Sequence, residues 1–304
     1  MASATDDTTR QLAWEARQRP RAAVAALLAG ALTFGADLWA SATFSNAPHA
    51  AFVRSLQQAL APGPIGGRPS QRTAFFVFYH DHAGALIGSS IVRAVGYVGV
   101  GWAITFLAAA VRARREEFPR VGLYVTLVGA LLEAISLILS TVASAASVSD
   151  FLSGPRTVDA AADVTSGSAI VTAQFIGLAG SLALAAGLVL VCLNAMRAGL
   201  LTRFMGVLGI IVGVLVIFPF GPLPVVQSFW LIALGALLIG RWPYGEPPAW
   251  RSGRAEPWPS QRELAERRRG GRPGAADAEG TPETPEQPRV ARPGASRRKR
   301  KRRA

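Results

Sequence analysis

The sequence predicts an all-α integral membrane protein, a bundle of six transmembrane helices followed by a disordered C-terminal tail. Three observations carry this. Half of the 304 residues are hydrophobic and only 17% are charged, where soluble domains carry about a quarter; the mean hydropathy is +0.30. Long apolar runs recur through the first 240 residues. The charge is displaced toward the end: residues 241–304 hold 17 of the 32 Lys and Arg. A single cysteine excludes a disulfide-built scaffold, and the composition excludes collagen-like and fully disordered chains.

Taken in order, residues 1–21 read as a cytoplasmic N-terminal segment bearing Arg10, Arg17, Arg19 and Arg21. A spanning helix needs about 20 apolar residues, because the hydrocarbon is ~30 Å thick and a helix rises ~1.5 Å per residue. Runs that meet or approach this lie at 22–44, 83–111, 121–147, 169–194, 199–218 and 222–240, which makes 22–240 the transmembrane domain. The first run is longer than the ~7–15 residues of a signal-peptide core and is interrupted by Asp37, so it reads as a span. The last two runs are shorter. Pro219, Pro222 and Pro224 separate them, and one helix cannot cross that break because proline removes a donor and clashes with the preceding turn. They form two spans or a re-entrant hairpin, and both return the chain to the same side.

Orientation follows from the positive-inside rule. With the N-terminus in the cytoplasm, the inside segments hold 27 Lys and Arg and the outside loops hold four, namely Arg54, Arg68, Arg72 and Arg156. Both termini are then cytoplasmic. Thirty of the 32 cations are arginine, a bias expected of a GC-rich bacterial genome, so the membrane is the bacterial plasma (inner) membrane.

The first outer loop carries Phe52, Leu56 and Leu60 at helical spacing, as a short amphipathic helix would, then the breakers Pro62, Gly63, Pro64, Gly66 and Gly67. Phe75, Phe76, Phe78 and Tyr79 follow and read as an interfacial aromatic belt. The second outer loop, 148–168, is polar. Gly84 with Gly88, and Gly209 with Gly213, give two GxxxG faces suited to close helix packing, within the chain or between two copies.

Ionisable groups inside hydrocarbon are expensive and point to function or to pairing. There are three, Asp37, Arg93 and Glu133, lying about 24, 28 and 20 Å from the arginines at the inner ends of their spans. Their similar depths allow one buried cluster, either a register-fixing ion pair or a proton or cation site. His80, Asp81 and His82 resemble a metal-binding triplet, but positions i and i+2 of a helix do not face each other and too few other ligands accompany them. No lysine precedes Lys299, and no HExxH, GxSxG or CxxC occurs. Phosphate-loop, Schiff-base, metalloprotease and serine-hydrolase chemistries are disfavoured; no catalytic residue and no cofactor is expected.

The tail, 241–304, is basic and Pro-rich and closes on Arg297, Arg298, Lys299, Arg300, Lys301, Arg302 and Arg303. Seven consecutive cations attract anionic inner-leaflet lipid, each contributing about 1 kcal/mol near the surface. Nucleic acid is disfavoured because no aromatics interleave the run. The chain thus reads as a multi-pass, non-enzymatic scaffold or subunit of a membrane assembly, with the bilayer, other membrane proteins or a second copy as partners. Two alternatives are a small transporter or channel working through Asp37, Arg93 and Glu133, and a membrane-embedded enzyme with an outer-face site at His80, Asp81 and His82.

Overall fold

The structure is a computed structural model, and it describes residues 2–48, 60, 63–218, 224–243 and 245–256, without the side chains of residues 2–7. The helix spacing suggested for Phe52, Leu56 and Leu60, and the whole basic run of the tail, lie outside these residues save for Leu60 itself. Within them the protein is helical: α1 (Ala2–Phe44), α2 (Thr73–Asp81), α3 (Ala83–Arg114), α4 (Val121–Ser153), α5 (Val158–Ser166), α6 (Ser168–Ala198), α7 (Arg203–Ile217), α8 (Val225–Leu238) and α9 (Ala249–Ser252). Four helical stretches, Thr8–Phe44, Ala83–Arg114, Val121–Ser153 and Val158–Ala198, are long and apolar enough to cross a membrane. They mark a membrane-embedded protein. α7 and α8 are apolar but have 15 and 14 residues, about 22 and 21 Å of rise.

Large apolar side chains on the outside of the bundle fit a hydrocarbon solvent. Leu28, Val98, Val128, Phe175, Ile211 and Phe229, one from each long or short apolar helix, are all exposed. A soluble monomer rarely shows such a surface on every helix.

The six apolar helices close a ring in the order α8, α1, α3, α4, α6, α7, with α3 and α6 also touching across its middle. Small residues set the spacing. On α1, Ala22, Ala26, Ala29 and Thr33 form a buried stripe against α3 and α8, the i, i+3, i+4 pattern of a packed helix face. A Cβ built on Gly96 of α3 would fall 3.2 Å from the Thr33 backbone nitrogen, and one on Gly235 of α8 3.0 Å from the Ala23 carbonyl. α4 and α6 approach closely at Gly180, whose Cβ would lie 2.8 Å from the Glu133 backbone nitrogen. Of the glycine faces read from the sequence, that of Gly209 and Gly213 is consumed inside the bundle, whereas Gly84 stays exposed with nothing within 4 Å of its Cβ position. Gly88 packs under Trp39, Gly206 against Met196, and Gly213 against the Ala185 carbonyl.

One end of the ring is capped by helices that the sequence suggested as loops. α4 runs on to Ser153 and α5 fills much of the second outer loop. Thr157 starts α5 by accepting a hydrogen bond from the Ala160 N–H, a side-chain N-cap that outweighs the polar composition of the segment. Phe76 of α2 is buried, stacked edge-on to Phe151 with Val148, Ala161 and Val164 around it. It belongs to a small protein core as much as to an interfacial belt. Backbone hydrogen bonds from Ser70 to Arg156, Val158 to Arg68 and Asp159 to Gly66 tie the two loops together.

At the opposite, basic end, Gly199 closes α6 with φ of +76° and Thr202 caps α7 by accepting from the Met205 N–H at 3.2 Å. Gly199 takes the left-handed conformation a side chain would resist. Thr202→Ala removes the cap; thermal unfolding in detergent is expected to show a loss of about 1 kcal/mol, and an unchanged midpoint would contradict the capping role.

Candidate functional site

Two ion pairs pin α1 to α3. Along α3, residues 93, 100, 107 and 114 recur every seven positions, and Val100 and Leu107 are buried. The stripe therefore begins and ends in arginine. Along α1 the facing stripe runs from Glu15 through Ala22 and Ala29 toward Asp37. Antiparallel packing brings each arginine to an acid.

At the capped end, Arg93 Nη1 lies 2.8 Å from Asp37 Oδ1, with the side chains 35% and 10% exposed. The guanidinium also sits 5.9 Å from the ring centroid of Tyr97, one turn further along α3. Arg93 Nε is buried and meets no acceptor among the described residues. Glu133, expected near the same depth, is held at the α4–α6 seam, where the single Ser181 hydroxyl proton is shared between its carboxylate and the Gly177 carbonyl. Ser136, one turn away, donates to the Ala173 carbonyl at 2.8 Å. Asp37 and Arg93 are thus brought together, while Glu133 takes a partner on α6.

The pair borders three spaces. An outer cavity of about 150 Å³ lies between α1, α2, α3 and α4, walled by Phe44, Tyr79, Leu86, Ser90 and Thr141 beside Asp37 and Arg93. A narrower one of about 40 Å³ reaches toward the core past Tyr97, Val100, Leu184 and Trp230. A more open groove of about 480 Å³ runs along α1 at Asp37, Ala40, Ser41, Phe44 and Ser45. The smallest has room for a few waters at most; the outer cavity matches the size of a known benzene-binding cavity.

Below these, the core is tight. Leu184, Leu188, Trp230, Leu234, Met205 and Cys192 are 0–2% exposed. Trp230 Nε1 donates to the Met205 carbonyl at 2.9 Å. Cys192 sits in this core, as a small apolar residue would.

The basic end is closed by the second pair. Arg114 grips both carboxylate oxygens of Glu15, with Nη2 to Oε2 at 2.8 Å, and the two side chains are 0% and 3% exposed. Its Nε and Nη2 also donate to the Ala249 carbonyl at 3.1 and 2.8 Å. Trp250 lies under Arg19 and Arg114, with ring centroids 4.6 and 5.3 Å from the guanidinium carbons, and donates to the Leu200 carbonyl at 3.1 Å. Arg19 pairs with Glu246. The segment around Trp250, which its prolines suggest is extended, makes one helical turn and is locked into this cluster. Composition alone does not disclose the Glu15–Arg114 pair. The signal was present, because Glu15 and Arg114 fall on the heptad stripes that carry the buried alanines of α1 and leucine of α3.

The histidine triplet lies across the end of α2. His80 and Asp81 are helical, and His82 follows as the cap, its Nδ1 2.8 Å from the Phe78 carbonyl and its ring stacked on Phe78. Among the described residues no three His, Cys, Asp or Glu side chains gather as a metal site.

The fold and these contacts define a helical, multi-pass membrane protein with an ion pair beside a small cavity at one end and a sealed, salt-bridged foot at the other. No family model, curated protein or solved structure matches the chain.

Proposed function

We propose that the protein is a non-enzymatic component of the bacterial plasma membrane, threaded six times with both termini cytoplasmic, and that its working site is the outward-facing cavity at Asp37 and Arg93. The observation that carries this is the asymmetry of the bundle. Three cavities border Asp37 at the capped end, two of them also Arg93, whereas the basic end is closed by Glu15, Arg114 and Trp250. The positive-inside rule assigns the basic end to the cytoplasm. A conduit would need a route past Leu184, Leu188 and Trp230, so a receptor-like or assembly subunit fits the packing better than a channel.

The test uses single cysteines, since Cys192 is fully buried. In intact cells a membrane-impermeant maleimide should label Ser153→Cys at the capped end, and label Ala255→Cys only after permeabilisation; the reverse pattern would overturn the orientation. Purification in mild detergent should retain a stoichiometric membrane-protein partner or a second copy. A monomer that crosslinks to nothing in the membrane would remove the assembly role.

A further inference from the structure

We propose that the outer cavity binds a small zwitterion, its carboxylate on Arg93 and its ammonium on Asp37. The inference deepens the reading above and rests on it only for the side from which the ligand arrives.

Charge selects the class. A lone anion drawn to Arg93 would lie beside the Asp37 carboxylate, and a lone cation drawn to Asp37 would lie beside the guanidinium, because the two groups are 2.8 Å apart. Like charges at such range are penalised most where water is scarce. A molecule carrying both charges faces an opposite charge at each end and brings no net charge into an apolar region.

Hydrogen-bonding capacity agrees. Arg93 Nε is a buried donor with no acceptor among the described residues, and a buried donor left unmatched calls for a partner. The hydroxyls of Ser89, Ser90 and Thr141 already give their protons to carbonyls of their own helices. Each keeps only lone pairs to offer the cavity, so together with Asp37 they suit a ligand group rich in N–H donors. Phe44 and Tyr79, ring centroids 6.4 Å apart, supply aromatic walls near the ammonium end. The volume of about 150 Å³ has room for a ligand of roughly the bulk of benzene, about six non-hydrogen atoms.

The probes are L-alanine and β-alanine, with propionate and ethylammonium as analogues lacking the ammonium or the carboxylate. Binding is read by calorimetry and thermal shift on the full chain in lipid nanodiscs. At least one alanine isomer should bind saturably and raise the unfolding temperature, while propionate and ethylammonium, alone or mixed, should not. Asp37→Asn should weaken binding by about tenfold or more, the scale of one lost charge-assisted hydrogen bond. Should that variant fail to fold, Ala40→Leu fills the cavity while leaving the ion pair intact, and should abolish binding in folded protein. The proposal is overturned if neither isomer binds, if either single-charge analogue binds as well, or if binding survives Ala40→Leu. Reversed cysteine labelling with alanine binding intact would instead refute the orientation and leave the site standing.

Discussion

Glu15→Ala is expected to cost about 3–5 kcal/mol of stability, the penalty for leaving a buried charge unpaired. Arg114 is fully buried and its guanidinium makes five hydrogen bonds, two to Glu15, two to the Ala249 carbonyl and one to the Ala110 carbonyl. Without the carboxylate, that charge stays beside Trp250 with only two neutral carbonyls, of Ala249 and Ala110, and a ring face to compensate it. The loss should appear as a lower unfolding midpoint in detergent and less protein recovered from membranes. Glu15→Leu combined with Arg114→Met removes both charges while filling much of the same volume, and should recover most of the loss, because a buried pair contributes little net energy over an apolar replacement. A midpoint that Glu15→Ala leaves unmoved would show that the foot does not hold the bundle together.

The second large effect is expected at Gly180. A Cβ there would stand 2.8 Å from the Glu133 backbone nitrogen and 3.2 Å from the Gly129 carbonyl. Backbone cannot rotate out of the way, so Gly180→Leu must push α4 from α6 and stretch the bonds that Ser181 and Ser136 make across the seam. Overpacking usually costs about 1–3 kcal/mol; the leucine should reach the upper end or exceed it. Gly84 is the control, since a Cβ there meets nothing within 4 Å. Gly84→Ala should change stability by less than about 1 kcal/mol, with helix propensity favouring alanine. Equal midpoints for Gly180→Leu and wild type would refute the close-approach reading.

The apolar runs were legible in the sequence because lipid imposes a length on a helix, and α3, α4 and α6 begin within one or two residues of the expected starts. Their ends were less so. α4 continues to Ser153 because Val148 and Phe151 find a protein core in Phe76 and Val164, contacts that hydropathy does not encode. The expected N-terminal segment is continuous with the first span in α1, since nothing between Arg10 and Arg21 breaks the helix and Pro20 is accommodated within it. Of the three intramembrane charges, the Asp37–Arg93 contact could be anticipated from depth. The capture of Glu133 by Ser181 could not, because it depends on which face of α4 meets α6. Glu15 looks solvated in the sequence, an acid among arginines ahead of the first apolar run, and only the seven-residue spacing marks it as buried.

The paired stripes of α1 and α3 carry a mechanical consequence. The two acids stand 22 residues apart and their arginines 21 apart, about 33 and 32 Å along each axis. Piston-like sliding of one helix past the other would therefore tear both clasps at once. Among the described residues α7 and α8 form no ion pair and meet their neighbours largely through glycine, with one hydrogen bond from Arg19 to the Leu237 carbonyl. α1 and α3, by contrast, behave as a single strut, fixed in length by a charged latch near each of its ends.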